Sequence, residues 1–196
     1  MDKERFEKQI QFILEIDKEK NILRQTHLSG HGRRENDAEH AWHMAIMIYL
    51  LKEYANEEID LAKTMMMALI QDVVDIDAGD TYAYDAQGVT SQREREDKAA
   101  DRIFGMLPEE QNKELRSLFE EFEAGETAEA RFAKVMDNFQ PLLLNNSNDG
   151  GDWREHGVCK AQVMKRHCTT EKGSKEIWEY ARNLIEKNVE KGNIKP

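Results

Sequence analysis

Apolar residues recur along this chain three and four positions apart, the repeat of a helix that buries one face. Phe6, Ile10, Ile13, Leu14 and Asp17 lie on one such stripe and predict a first amphipathic helix. Gly30 and Gly32 break the repeat in NILRQTHLSGHGRREN, which reads as a loop. Asn36 or Asp37 then caps a second helix, and Glu39 favours its N-terminal dipole. His40, Met44, Met47, Ile48 and Leu51 follow at helical spacing. A third helix starts near Asp60, where Leu61, Met65, Ala68, Leu69 and Asp72 share one stripe.

Ala78-Gly79 interrupts the pattern, and the residues up to about Thr90 read as a loop. Helical signal resumes at SQREREDKAADRIFGMLP and stops at Pro108. The next helix begins with that proline in its first turn and closes at Gly125, the usual asymmetry of helix ends. Thr127 and Glu129 open AEARFAKVMDNFQPLLL, with Pro141 as a kink point. NNSNDGGDW reads as a loop and SKEIWEYARNLIEKNVEKG as a final helix. The chain shows no internal repeat, linker or low-complexity segment, so the expected fold is one all-α domain.

Composition narrows the picture. A chain of 196 residues, 39% hydrophobic and 34% charged with three prolines, suits a helical soluble domain better than a sandwich or barrel. The net charge of -11 argues against a binder of nucleic-acid polymers, which neutralises phosphates with Lys and Arg. A small phosphorylated ligand in one locally basic pocket remains compatible with it. No apolar run approaches the roughly 20 residues that span a bilayer, and MDKERFEKQIQF lacks a signal-peptide core. Cys159 and Cys168 read as reduced thiols, and the expected location is cytoplasmic. The nine methionines read as core filler.

Charge distribution raises a chemical question. Aspartates stand at 72, 75, 77, 80 and 85, while no Lys or Arg occurs from Thr64 to Gln92. Asp72 extends an apolar stripe, where a lone carboxylate is costly to bury. His40 and Asp137 likewise interrupt apolar faces. Taken alone, His40 fits an ordinary core histidine bonded to a backbone carbonyl. Together the three residues form a mixed nitrogen and oxygen donor set, suited to Mn, Fe, Co, Ni or Zn. A divalent cation there would turn unpaired carboxylates into ligands and lower the pKa of a water that it binds. His43 reads as packing or as support for a ligand, and Asp77 and Asp85 as solvated loop carboxylates.

RQT at 24–26, AEH at 38–40, the acidic AGD segment at 78–80, TAEARF at 127–132 and Asp137 in KVMDNFQ together resemble the HD-domain metal-dependent phosphohydrolases. The likeness is closest to the 5′-deoxynucleotidase branch and clearest between Leu14 and about Leu144. It implies an HD-type all-α bundle over residues 1–196, with a core at about 14–144 and a C-terminal helical extension at about 151–192. It also implies a divalent metal ion held by His40, Asp72 and Asp137. Asp75 and Asp80 fall where acid-base carboxylates are expected, and Arg24 where an arginine clamps the substrate phosphate. The implied substrate is a nucleoside 5′-monophosphate, and a homodimer is the implied assembly.

Two positions depart from the family pattern. Gln71 stands where the pattern has the histidine of its His-Asp pair, and Asp75 where it usually has glutamate. An amide oxygen is a poorer ligand than imidazole, so the expected site is weakened and tilted toward Mn or Mg. The alternative reading is a catalytically inactive nucleotide-binding pseudoenzyme or sensor. Thr81, Tyr82 and Tyr84 stay unassigned, and Arg33 and Arg34 read as a solvated basic loop.

Overall fold

Side-chain caps set where the helices begin. Asp2 accepts from the Arg5 amide to open α1 (Lys3–Ile16). Asn36 and Glu39 form a reciprocal capping box at the start of α2 (Asp37–Leu51). Asp60 accepts from the Lys63 amide at α3 (Leu61–Ile70). The computed structural model describes residues 2–85 and 88–196, with backbone alone at 88–90.

After α3 the chain makes a turn over 71–74 and a short α4 (Asp75–Ala78). Gly79 then takes a left-handed φ of 75°, which carries the chain out of α4 toward Asp80. The expected loop up to about Thr90 is shorter than the reading above, because α5 (Gly88–Phe104) opens earlier; residues 86–87 lie outside the described residues. Pro108 sits at the N-cap of α6 (Glu109–Ala124), one position ahead of the first turn, and Gly125 closes that helix at φ 63°. Thr127 caps α7 (Ala128–Ser147), which runs on through Pro141. There follow α8 (Gly151–Glu155), α9 (Lys160–Arg166), α10 (Thr170–Gly173) and α11 (Lys175–Glu190). The segment read as a loop at NNSNDGGDW is therefore split between the ends of α7 and α8.

The segment 21–36 also departs from the loop expectation. It forms a small antiparallel hairpin of β1 (Leu23–His27) and β2 (Arg34–Asn36). Its alternation was present in the sequence, but with Arg24 and Thr26 on the buried side and Leu23 exposed. A strand that buries polar residues reverses the usual hydropathy signal. Asp152 and Asn148 pin this hairpin to the junction of α7 and α8: Asp152 accepts from the His27 backbone N–H, and Asn148 donates to the His27 and Leu28 carbonyls.

The core forms around α7. Phe132, Val135, Met136, Phe139 and Leu142 pack with Met44, Met47 and Ile48 of α2 and Ala68 of α3. Val163, Ile177, Ala181, Ile185 and Ile194 join the same cluster from the C-terminal elements. A second cluster gathers Phe12, Val73, Val74, Ala100, Ile103, Phe104 and Phe119 from α1, the 71–74 turn, α5 and α6. The stripe on α1 mostly stays outside: Phe6, Ile10, Ile13 and Leu14 are all exposed, as are Trp42, Ile46, Tyr49 and Leu50 on α2. No helix among the described residues is long and apolar enough to cross a membrane.

The capping box is the device that starts the helix carrying His40. Asn36→Ala is expected to lower stability by about 1 kcal/mol, whereas Asn36→Ser stays near the parent. Chemical denaturation of the two variants checks this.

Candidate metal centre and active-site cavity

His40 lies in the first turn of α2 and is fully buried. Its Nδ1 stands 3.0 Å from Gln140 Oε1. That oxygen only accepts, so Nδ1 carries the proton and Nε2 presents a lone pair. The Gln140 amide is oriented by donating to Glu35 at 2.6 Å and to His43 Nδ1 at 3.2 Å. Nε2 meets Asp137 Oδ1 at 3.3 Å and Asp72 Oδ2 at 3.9 Å. The structure thus brings His40, Asp72 and Asp137 to one point from α2, the 71–74 turn and α7.

Arg24 reaches the same place from β1. Its Nη1 donates to Asp37 and Asp72, both at 3.0 Å, and stands 3.8 Å from Asp80. Its Nε lies 3.9 Å from Glu35. These distant contacts are the cationic answer that the local sequence lacks. Asp77 is met instead by Arg102 of α5, with Nη2 to Oδ1 at 2.8 Å. Arg33 pairs with Glu39 at the surface, as the solvated-loop reading has it.

One guanidinium cannot balance this many carboxylates. Oxygens of Asp37, Asp75 and Asp80 lie within 4.8 Å of one another. Burial pushes Asp37 up to about 8 despite Arg24. Burial and the charge of Asp72 push Asp75 up to about 9. Asp72 and Asp80 are also raised, chiefly by burial. Asp137 is the exception. Burial would raise it, but Arg166, then His40 and Arg24, hold it well below the usual carboxylate range. Burial and the nearby Arg24 bring His40 down to about 4, so the imidazole is neutral.

These residues line a cavity of about 380 Å³. Arg24, Gln71, Asp72, Asp75, Asp80 and Asp137 all face it. Tyr82 and Tyr84 form an aromatic wall, edge to face at 5.2 Å, with the His156 ring 4.6 Å from Tyr82. Arg166, at the end of α9, donates to Asp137 Oδ2 at 2.9 Å and also faces the cavity.

Residues 16–178 match the family model described as the HD domain. This chain belongs to the HD-domain family. The crystal structure of a predicted metal-dependent phosphohydrolase from Magnetospirillum magnetotacticum is similar, with 49% identity and a TM-score of 0.93 over 98% of this chain and 96% of that one. A human 5′-deoxynucleotidase, HDDC2, is 31% identical over 111 residues, 57% of this chain and 53% of its own length. The Dictyostelium discoideum protein of the same name is 32% identical over 128 residues, 62% of this chain and 67% of its own. The chain therefore spans about half the length of the human relative. A conserved hypothetical protein from Pyrococcus furiosus, 23% identical with a TM-score of 0.59 over 88% of this chain and 99% of that one, shares the fold.

Membership of the HD-domain family implies a divalent cation, and the donors here fit one. A neutral imidazole lone pair faces two carboxylates, an arrangement in which three acceptors lack a donor. Asp37 Oδ2 and Glu35 Oε2 are buried without a hydrogen-bond partner, and a buried acceptor left unpaired is costly. The Gln71 side chain faces the cavity with its buried Nε2 unpartnered, so this residue contributes no charge to the HD-domain site.

Sequence reasoning missed Gln140, Glu35, Asp37 and Arg166. Gln140 follows Asp137 by three positions on one helix, which was a readable signal. Asp37 was read only as a cap candidate. Arg166 gave no signal, since it meets Asp137 across 29 positions of chain.

The raised carboxyl groups have a pH consequence. They bind protons more tightly in the folded than in the unfolded chain, so the stability they contribute at low pH is lost as pH rises through their folded values. Glu35, Asp37 and Asp75 place that loss at about 7, 8 and 9, with burial the leading cause in each. His40 and His167, both lowered to about 4 by burial, act in the opposite sense only below their unfolded pKa of roughly 6.5. Chelator-treated protein should therefore melt at progressively lower temperature from pH 7 to 9, and Mn2+ should flatten that slope. A flat profile without metal would contradict the charge imbalance.

Proposed function

We propose that this protein is a metal-dependent phosphohydrolase releasing phosphate from a nucleoside 5′-monophosphate of the deoxynucleotide type. One observation carries the reading: the lone pair of a buried neutral histidine faces two carboxylates at the inner end of a nucleotide-sized cavity. The names of the bacterial structure and of the human and Dictyostelium relatives support the reaction class and the substrate.

His40, Asp72 and Asp137 would hold the cation. When bound, it supplies positive charge to a phosphoryl oxygen and acidifies a water molecule. The remaining work belongs to the chain. Gln140 fixes the His40 ring through Nδ1, and Arg24 holds Asp72 in place through Nη1. Asp75 and Asp80 line the cavity near Asp72, and a proton held on one of their carboxyl oxygens would pass to the leaving 5′-oxygen. Tyr82 and Tyr84 offer flat apolar surface to the base or sugar. Aspartate in place of glutamate at 75 shortens the reach of the acid by about one carbon–carbon bond, and a misplacement of about 1 Å can slow chemistry about 100-fold.

Gln71 favours a second reading. Its amide nitrogen is unpartnered and buried in the cavity, and it brings neither imidazole nitrogen nor charge. A protein that keeps the fold and cavity but turns over little would bind nucleotide as a sensor. Gln71→His separates the two. It is expected to bind Mn2+ about 10–100-fold more tightly than the parent, the scale on which a lost metal-site partner weakens affinity, and to release phosphate faster. A folded Gln71→His protein with no gain in metal affinity or in phosphate release would end the hydrolase reading.

We further propose a homodimer. Trp42, Ile46, Tyr49 and Leu50 on α2 repeat the spacing of Phe6, Ile10, Ile13 and Leu14 on α1, and all eight are exposed. Large exposed apolar stripes favour association. Light scattering should give twice the chain mass for the parent and the single mass for a Trp42→Glu, Leu50→Glu variant.

A further inference from the structure

We infer that Arg166, rather than Arg24, supplies the positive charge that binds the substrate phosphate. The inference rests on the phosphomonoester reading above and adds a residue to it.

The two arginines differ in what surrounds them. Arg24 is nine-tenths buried, and Asp37, Asp72, Asp80 and Glu35 all approach it to within 3.9 Å. Four carboxylates outnumber its one charge. A phosphate placed on its remaining edge would stand beside the same aspartates, so Arg24 offers an arriving anion little net attraction. Its surroundings suit a residue that keeps Asp72 and Asp37 in position.

Arg166 has the opposite balance. It makes one ion pair, through Nη2 to Asp137, and its side chain is 34% exposed in contrast to 10% for Arg24. Nε and Nη1 make no hydrogen bond among the described residues. Its charge acts on Asp80 and Tyr84, which line the same cavity from another part of the chain. The bonded carboxylate is the one that also faces His40 Nε2. Arg166 therefore stands one carboxylate away from the centre, with part of its planar fork uncommitted. A guanidinium with two free N–H edges matches the paired oxygens of a phosphate. Tyr82 and Tyr84 flank this end of the cavity, so a phosphate on Arg166 leaves the aromatic wall for the nucleoside.

Calorimetric titration tests this with inorganic phosphate, a deoxynucleoside 5′-monophosphate and the matching unphosphorylated nucleoside. Parent, Arg166→Gln and Arg166→Lys are compared after chelator treatment and again with Mn2+. Arg166→Gln is expected to weaken binding of phosphate and of the nucleotide about 10–100-fold, the span of one charge-assisted hydrogen bond or a pair of them. Nucleoside binding should stay unchanged, and Mn2+ affinity should move only a few-fold. Arg166→Lys, which keeps charge but loses the fork, should fall between. Equal phosphate affinity in Arg166→Gln and parent overturns the inference, as does a loss shared equally by nucleoside and nucleotide, or a parent that binds no phosphate. Phosphate binding that depends on Arg166 in a protein that hydrolyses no nucleotide would defeat the hydrolase reading while this inference stands.

Discussion

The governing constraint is a buried excess of negative charge around one guanidinium. Arg24 draws Asp37, Asp72, Asp80 and Glu35 toward a single point, and β1, α2 and the segment around α4 are arranged to deliver them there. Such a cluster does not favour folding. Removing ions from water costs several kcal/mol each after relaxation, and a single counter-ion returns only part of it. The apolar clusters around α7 and around α5 supply the offsetting stabilisation, and the polar centre sits where elements from both meet. The fold therefore carries a local deficit that an added cation, or bound protons, relieves.

Much of the helical frame could be read from sequence because its signals are local. Asn36, Asp60 and Thr127 cap the helices they were expected to cap, and Gly125 ends α6 in the left-handed conformation. The three polar interruptions at His40, Asp72 and Asp137 stood out because each falls on an apolar face. The hairpin did not, since it buries Arg24 and Thr26 where a strand usually buries aliphatics. The stripe on α1 was legible as a stripe, but whether such a face meets its own chain or something else is a tertiary fact. Arg166 was invisible for the same reason: its role depends on α9 lying over Asp137.

Gln71 and Asp75 alter the centre without altering its frame. Gln71 replaces a metal-binding side chain by one that fills space and leaves a buried nitrogen unpartnered. Asp75 keeps the charge of the usual glutamate and shortens its reach. Both changes leave the His40–Gln140–Glu35 chain intact, which is why the orientation of the imidazole survives them. What they change is the character of the donors, from nitrogen-rich toward oxygen-rich, and with it the preference among cations.

Pro141 gives α7 a further property. It has no N–H to donate to the carbonyl of Asp137 four residues earlier, so the helix lacks one rung at the turn that bears this carboxylate. A ladder with a missing rung flexes there more readily than elsewhere. The Asp137 side chain is thus mounted on a compliant turn of an otherwise rigid rod, and ions of different radius can be accommodated by a small bend instead of a repacked interior.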